Sequence, residues 1–260
     1  MKPSQGRATT GFTLLELLVC VAVIAVLASM TAAAVLNARA KARSVSCGSN
    51  LRQMGQLLSV FVNDHSRYPM YNATAEEIAV YAGQNGAWFN SIAADQWQRA
   101  KEAATQDKYI RSSILACPSV LQVARRNPSG IQSSPPHIYG YNSDGAVSGP
   151  GFVSHGLGRI GREDKRPVAS ENVARPSEMY AIGDSAIGWN GIITDASVVL
   201  GRRPDVQPEE GGKSRLEKIH GGKLNMVHCD GHVELLSIQR LFYSTNNEDL
   251  ARWNREGVAF

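Results

Sequence analysis

Three sets of residues in this chain have the types and spacing to do chemistry. The first is Glu16, the only charge in an apolar run that reaches Ala38. A carboxylate inside an apolar helix costs several kcal/mol unless it is paired, so its presence there marks a functional position. The alternative is a glutamate snorkelling to lipid headgroups near the helix start. The second set is His220, His228, Asp230 and His232, joined by Asp184 from an earlier strand end. Histidine and carboxylate suit zinc or another divalent metal. Against a metal centre, His228 and His232 flank a turn, where alternation does not aim both side chains one way. No ligand pair sits at i, i+4 helical spacing either. The expectation is therefore structural, with no metal or cofactor: Asp230 serves the turn and His220 satisfies a buried backbone or carboxylate group.

The third set is the cysteines. Cys47 falls on an apolar helical stripe and Cys117 opens a Cys-Pro-Ser turn that must return towards the same core. A Cys47–Cys117 disulfide would close a loop of roughly 70 residues and constrain the unfolded chain by a few kcal/mol. The alternative is two buried thiols. Cys20, in the apolar run, and Cys229, beside Asp230, read as small hydrophobes. Enzyme patterns fare badly, and the expectation is a non-enzyme. Ser185 follows Gly183-Asp184 without a Gly-x-Ser-x-Gly elbow, and Gly221-Gly222-Lys223 lacks phosphate-loop spacing.

These residues must be positioned by a simple set of elements. From Leu17 to Ala38 there is no charge, enough helix to span a bilayer. The stripe Cys47, Leu51, Met54, Leu58 and Phe61 continues the helix amphipathically, with Ser49, Asn50, Arg52, Gln53 and Gln56 opposite. A helix from Phe12 to about Asp64 would reach about 80 Å, and Arg67-Tyr68-Pro69 ends it. Thr74-x-x-Glu77 is a capping box for a short helix through Tyr81, closed at Gly83. A further helix is expected from about Ile92 to Lys108. Strands are expected at His137–Tyr141, Met179–Gly183 and Ile192–Leu200, with loops between Asn127 and Pro167 and from Pro204 to Lys213. Leu224–Leu236 reads as a hairpin with a type I′ turn at Asp230-Gly231, and a terminal helix runs from about Asn247 to Arg255, stopped at Gly257.

The chain has 260 residues, a formal charge of +4 and 43% hydrophobic residues. Once the N-terminal run is set aside, roughly 190 to 200 residues remain, enough for one well-cored domain. The charge is scattered, with no basic face bearing aromatics that would indicate nucleic acid. Lys2 and Arg7 precede the apolar run while Arg39, Lys41 and Arg43 follow it, so charge alone does not place the C-terminal side outside.

Gly11-Phe12-Thr13-Leu14-Leu15-Glu16, placed before the apolar run, resembles the N-terminus of type IV prepilins and type II secretion pseudopilins. The resemblance implies a leader at 1–11, cleavage between Gly11 and Phe12 by a prepilin peptidase, and N-methylation of Phe12. It makes Glu16 the acidic residue that pairs with the new amine, in its own chain or in the next subunit. It further implies an α+β pilin-like fold: a transmembrane and assembly helix at 12–38, an amphipathic continuation at 39–66, and an extracytoplasmic antiparallel-sheet head at 67–260. Localisation would be the inner membrane, then a pilus or pseudopilus. Partners would be the peptidase, an inner-membrane platform with its ATPase, and the same or related pilins. His220 followed by nine residues and Asp230-Gly231 is similar to an H-x9-DG head segment attached to such leaders, supported by Cys47-x-x-Asn50-Leu51-Arg52-Gln53, Tyr68-Pro69 and Cys117-Pro118. Because some pseudopilin heads hold calcium near a C-terminal loop, Asp184 and Asp230 are its candidate ligands here. Two other functions compete: an anchored binding module whose Tyr139, Tyr141 and Trp189 face a carbohydrate or surface partner, and a metal-dependent enzyme using the histidines.

Overall fold

A computed structural model describes residues 13–102, 114–115, 117–119, 139–146, 155–158, 166–184, 199–202 and 220–259. The chain divides into two compact units, Met1–Ala42 and Arg43–Phe260. One helix, α1 (Leu14–His65, 52 residues), supplies elements of both.

Within the first unit α1 carries many exposed apolar side chains, Leu14, Leu18, Ile24, Met30 and Leu36 among them. The helix is long and apolar enough to cross a membrane. Its few hydroxyls bond to the preceding turn: Ser29 Oγ donates to Val26 O at 2.7 Å and Thr31 Oγ1 to Leu27 O at 3.0 Å. That satisfies them without water.

In the second unit, burial along α1 follows the helical period. Cys47, Leu51, Met54 and Leu58 are completely buried and Phe61 nearly so, the stripe expected from their spacing. After α1, the Thr74 capping box forms as written in the sequence, with Glu77 N donating to Thr74 Oγ1 and Thr74 N to Glu77 Oε2, and opens α2 (Ala75–Val80). The next helix, α3 (Trp88–Glu102), starts a turn earlier than expected and kinks at Ala93. The early turn is fixed by packing: Trp88 is buried and stacks on Tyr141 at 5.2 Å.

Five strands form one sheet: β1 (Tyr139–Ala146), β2 (Tyr180–Asp184), β3 (Val199–Arg202), β4 (Lys223–His228) and β5 (Val233–Ser237), in the order β3-β1-β2-β4-β5. The run β1-β2-β4-β5 is antiparallel, and β3 adds to β1 in parallel. A long N-terminal helix followed by this sheet is an α+β, pilin-like arrangement. Of the expected strand Ile192–Leu200, only Val199 and Leu200 fall within the described residues. Strand β1 runs five residues past Tyr141, where the polar Asn142-Ser143-Asp144 suggests loop. Its Asn142 side chain donates instead to Tyr180 O and Trp253 O, at 2.7 and 2.8 Å.

The β4–β5 turn is not type I′. Among Cys229, Asp230 and Gly231 only Gly231 has positive φ, at 91°. Gly231 N donates to His228 O and His228 N to His232 O, both at 2.9 Å. This is a three-residue loop with glycine in the left-handed position, so Asp230 need not adopt positive φ. Beyond β5, α4 (Asn247–Ala251) is capped by Asn246. Trp253 follows, buried edge-on against Tyr180 at 5.1 Å.

Candidate functional site

The register of the sheet assembles the head site. Tyr139 pairs with Asp184 and Tyr141 with Ile182, and side chains of paired residues share a face. Tyr139 reaches Cys47 on α1, its hydroxyl 3.3 Å from Cys47 Sγ, so this is the face that α1 covers. Tyr139 and Tyr141 are therefore core residues, 2% and 0% exposed. They do not form the exposed aromatic face of a binding module, and Trp189 lies outside the described residues.

Four side chains from four separate segments converge here: Cys47 of α1, Cys117, Asp184 at the end of β2, and His220 just before β4. One potential ligand atom from each lies within 4.8 Å of all the others. Cys47 Sγ lies 2.7 Å from Asp184 Oδ1, Cys117 Sγ 3.3 Å from His220 Nε2, and His220 Nε2 3.4 Å from Asp184 Oδ2. The side chains of His220 and Asp184 have no exposure to solvent. A second layer orients them. Ser119 Oγ is 3.1 Å from His220 Nδ1, and Asn225 donates to Asp184 Oδ2 through its backbone N at 2.7 Å and its Nδ2 at 2.9 Å.

The backbone bends to deliver His220. Its φ is 46°, a left-handed conformation, and Gly221 and Gly222 follow at 69° and 80°. A Cβ on either glycine would meet none of the described residues within 4 Å. Conformation, not space, therefore calls for glycine here.

The electrostatics are tightly coupled. Burial pushes the Cys47 thiol up, reinforced by its bond with Cys117 and the Asp184 charge. For Cys117 burial acts the same way, but the bond from Cys47 and the contact with His220 outweigh it and hold that thiol below its ordinary value. Burial disfavours the His220 cation, yet its bonds to Asp184 and Cys117 prevail and raise it to about 9.

Both cysteines are free thiols in this structure. The metal candidates read from sequence divide. Asp184 and His220 meet, but they meet the two cysteines, which sequence reasoning reserved for a disulfide. His228 instead groups with His232 and Glu234, its ring stacked on that of His232 at 3.9 Å. Asp230 accepts from His232 N at 3.1 Å and lies 2.6 Å from His232 Nδ1. It thus serves the turn, and the runner-up calcium pair of Asp184 and Asp230 does not assemble among the described residues. Ser119 and Asn225 were not singled out as site residues from sequence, and Tyr139 was read there as part of an exposed aromatic face. They carry no spacing signal, because their partners are distant in the chain.

The other functional stretch lies at the start of α1. Thr13 N and Oγ1 donate to Glu16 Oε2 at 2.9 and 2.8 Å, and Glu16 N donates to Thr13 Oγ1 at 3.3 Å. Glu16 thus closes a capping box with Thr13, a partner the sequence reading overlooked. Gly11 and Phe12 lie outside the described residues. Residues 6–32 match the family model of the prokaryotic N-terminal methylation motif. The chain carries a prepilin-type N-terminus. No curated protein and no solved structure matches it. The motif implies processing by a prepilin peptidase and assembly with other pilins, and the apolar helix behind it fits a membrane-anchored pilin.

Proposed function

We propose that this protein is a structural subunit of a type II secretion pseudopilus or a type IV pilus-like filament. The observation that carries the reading is the methylation motif at residues 6–32 running directly into a helix with exposed apolar side chains. The peptidase cuts between Gly11 and Phe12 and methylates the Phe12 amine. The mature chain waits in the inner membrane with its head on the extracytoplasmic side. An inner-membrane platform and its ATPase then draw it into the filament beside copies of itself or related pilins.

Apolar side chains such as Leu18, Ile24 and Met30 have two environments that spare them from water: lipid tails and the neighbouring helices of a filament. Exchange between the two changes little apolar exposure, so lateral packing and polar pairing decide it. Glu16 supplies the polar term. Its pairing with the cationic amine of an adjacent subunit fixes the axial register of stacked helices and relieves a charge in an apolar surrounding.

The test is intact mass of the protein from cells with the matching peptidase, beside Gly11→Ala. The expected product begins at methylated Phe12, and Gly11→Ala stays uncut. A chain that still begins at Met1 overturns the reading and leaves the helix a plain anchor.

A further inference from the structure

We propose that Cys47, Cys117, Asp184 and His220 form a closed, structural zinc site inside the head. This inference does not depend on which filament, if any, the protein joins.

The donor set comes first. Two sulfurs, one imidazole nitrogen and one carboxylate oxygen suit a tetrahedral borderline-soft ion. Calcium and magnesium take oxygen shells and have no use for the thiols. Tetrahedral zinc, with bonds of about 2.3 Å to sulfur and about 2.0–2.1 Å to nitrogen or oxygen, holds its donors about 3.3–3.8 Å apart. The 3.3 Å from Cys117 Sγ to His220 Nε2 and the 3.4 Å from His220 Nε2 to Asp184 Oδ2 already match those edges. Cys47 Sγ lies 2.7 Å from the other carboxylate oxygen, Oδ1, so coordination through a single oxygen requires the Asp184 carboxylate to turn and that contact to open.

The surroundings are those of a metal site. Ser119 at His220 Nδ1 leaves Nε2 facing the cluster, and the two Asn225 donors hold the Asp184 carboxylate towards it. Partners of this kind fix a ligand's tautomer and aim. The left-handed backbone at His220 is strain that something must repay. A Cys47–Cys117 bridge would account for the two sulfurs alone. It would leave unexplained why a buried histidine and a buried carboxylate, each with its own orienting partner, converge on the same point. With four protein ligands and no exposed ligand side chain at His220 or Asp184, the site has no open position for a substrate. It is a clamp, joining α1, the Cys117 segment, β2 and the lead into β4.

The experiment uses the full chain, purified in detergent under mild reduction without chelator. Elemental analysis should find stoichiometric zinc, and replacing it with cobalt(II) should give the intense absorption of tetrahedral thiolate coordination. Cys47→Ser with Cys117→Ser should abolish both. Because that variant risks unfolding, Ser119→Ala and Asn225→Ala serve beside it. They keep all four ligands and should weaken zinc binding about 10- to 100-fold against a competing chelator. Three results overturn the proposal: metal-free protein with two alkylatable thiols at Cys47 and Cys117, a Cys47–Cys117 disulfide peptide from protein prepared without reductant and devoid of zinc, or cobalt binding without a thiolate band.

Discussion

Gly55 on α1 and Gly231 in the β4–β5 turn meet backbone to backbone. A Cβ placed on Gly55 would lie 2.6 Å from the Gly231 carbonyl oxygen and 3.0 Å from Val227 Cγ1. A Cβ on Gly231 would lie 2.8 Å from Ser59 Oγ, and its φ of 91° already excludes ordinary residues. The glycine of the Asp-Gly pair therefore does two jobs. It closes the hairpin and lets that hairpin sit directly on the helix.

Gly55→Ala should destabilise the head by about 1–3 kcal/mol, because the added methyl meets backbone that cannot rotate away. Gly231→Ala should cost at least as much, since it adds left-handed strain to the clash. Gly221→Ala is the control. It shares positive φ but meets none of the described residues, so only the conformational cost, about 1 kcal/mol, is expected. Urea melts of the three variants measure this, and equal losses at Gly55 and Gly221 would show that close approach does not matter.

Leu58→Ala should cost about 2–5 kcal/mol by leaving a cavity in the core under the sheet. Val60→Ala, two residues on and 57% exposed, should stay within about 0.5 kcal/mol. The same melts decide this pair, and comparable losses at both positions would contradict the packing of α1 on the head.

That contrast was legible in the sequence, because helical burial repeats with a fixed period and Cys47, Leu51, Met54, Leu58 and Phe61 keep it. The capping box at Thr74 and Glu77 was legible for a similar reason: both partners lie within one turn. The Asp-Gly hairpin was placed correctly but given the wrong turn, since its loop length depends on where the strands stop pairing. Beyond Tyr141, Asn142 looked like loop because the carbonyls that satisfy it belong to Tyr180 and Trp253. The head site was least legible. Cys47 and Asp184 touch across 137 positions, and no local period records such a contact. Sequence named all four residues, in two separate hypotheses, and only the fold brought them together.

His228 gives the head an acid sensitivity. It is buried, neither ring nitrogen has a hydrogen-bond partner among the described residues, and Glu234 Oε2 lies 3.3 Å away without the alignment of a bond. Burial lowers its pKa from 6.5 to about 4. Neighbouring His232 and Arg252 push the same way, and Glu234 and Asp230 oppose them. Tyr180 packs edge-on against the ring. Between these two values the unfolded chain binds the proton and the folded one does not, so stability rises with pH across the window. The contribution is complete above about pH 7 and is lost on acidification towards pH 4, with an upper bound of about 3–4 kcal/mol. His228→Phe keeps a ring in the stack and titrates nothing. Its stability should fall less steeply from pH 7 to pH 4 than that of the native chain, and parallel curves would remove His228 as the cause.

Glu16 has two separable roles, and one substitution divides them. Its carboxylate accepts from Thr13 N and Oγ1, a capping function that needs only an acceptor oxygen. Register pairing with a neighbouring subunit's amine needs the negative charge. Glu16→Gln keeps the acceptor, since glutamine also serves the third position of a capping box, and removes the charge. The helix start should therefore survive, and the chain should still be cut after Gly11 and methylated. Incorporation into filaments should nevertheless fall to background, measured as protein in the sheared fraction relative to membranes. Thr13→Val is the reciprocal variant: it deletes the hydroxyl and keeps the charge, so incorporation should persist. If Glu16→Gln enters filaments as well as the native chain, the glutamate is a helix cap and the register must be set elsewhere along α1.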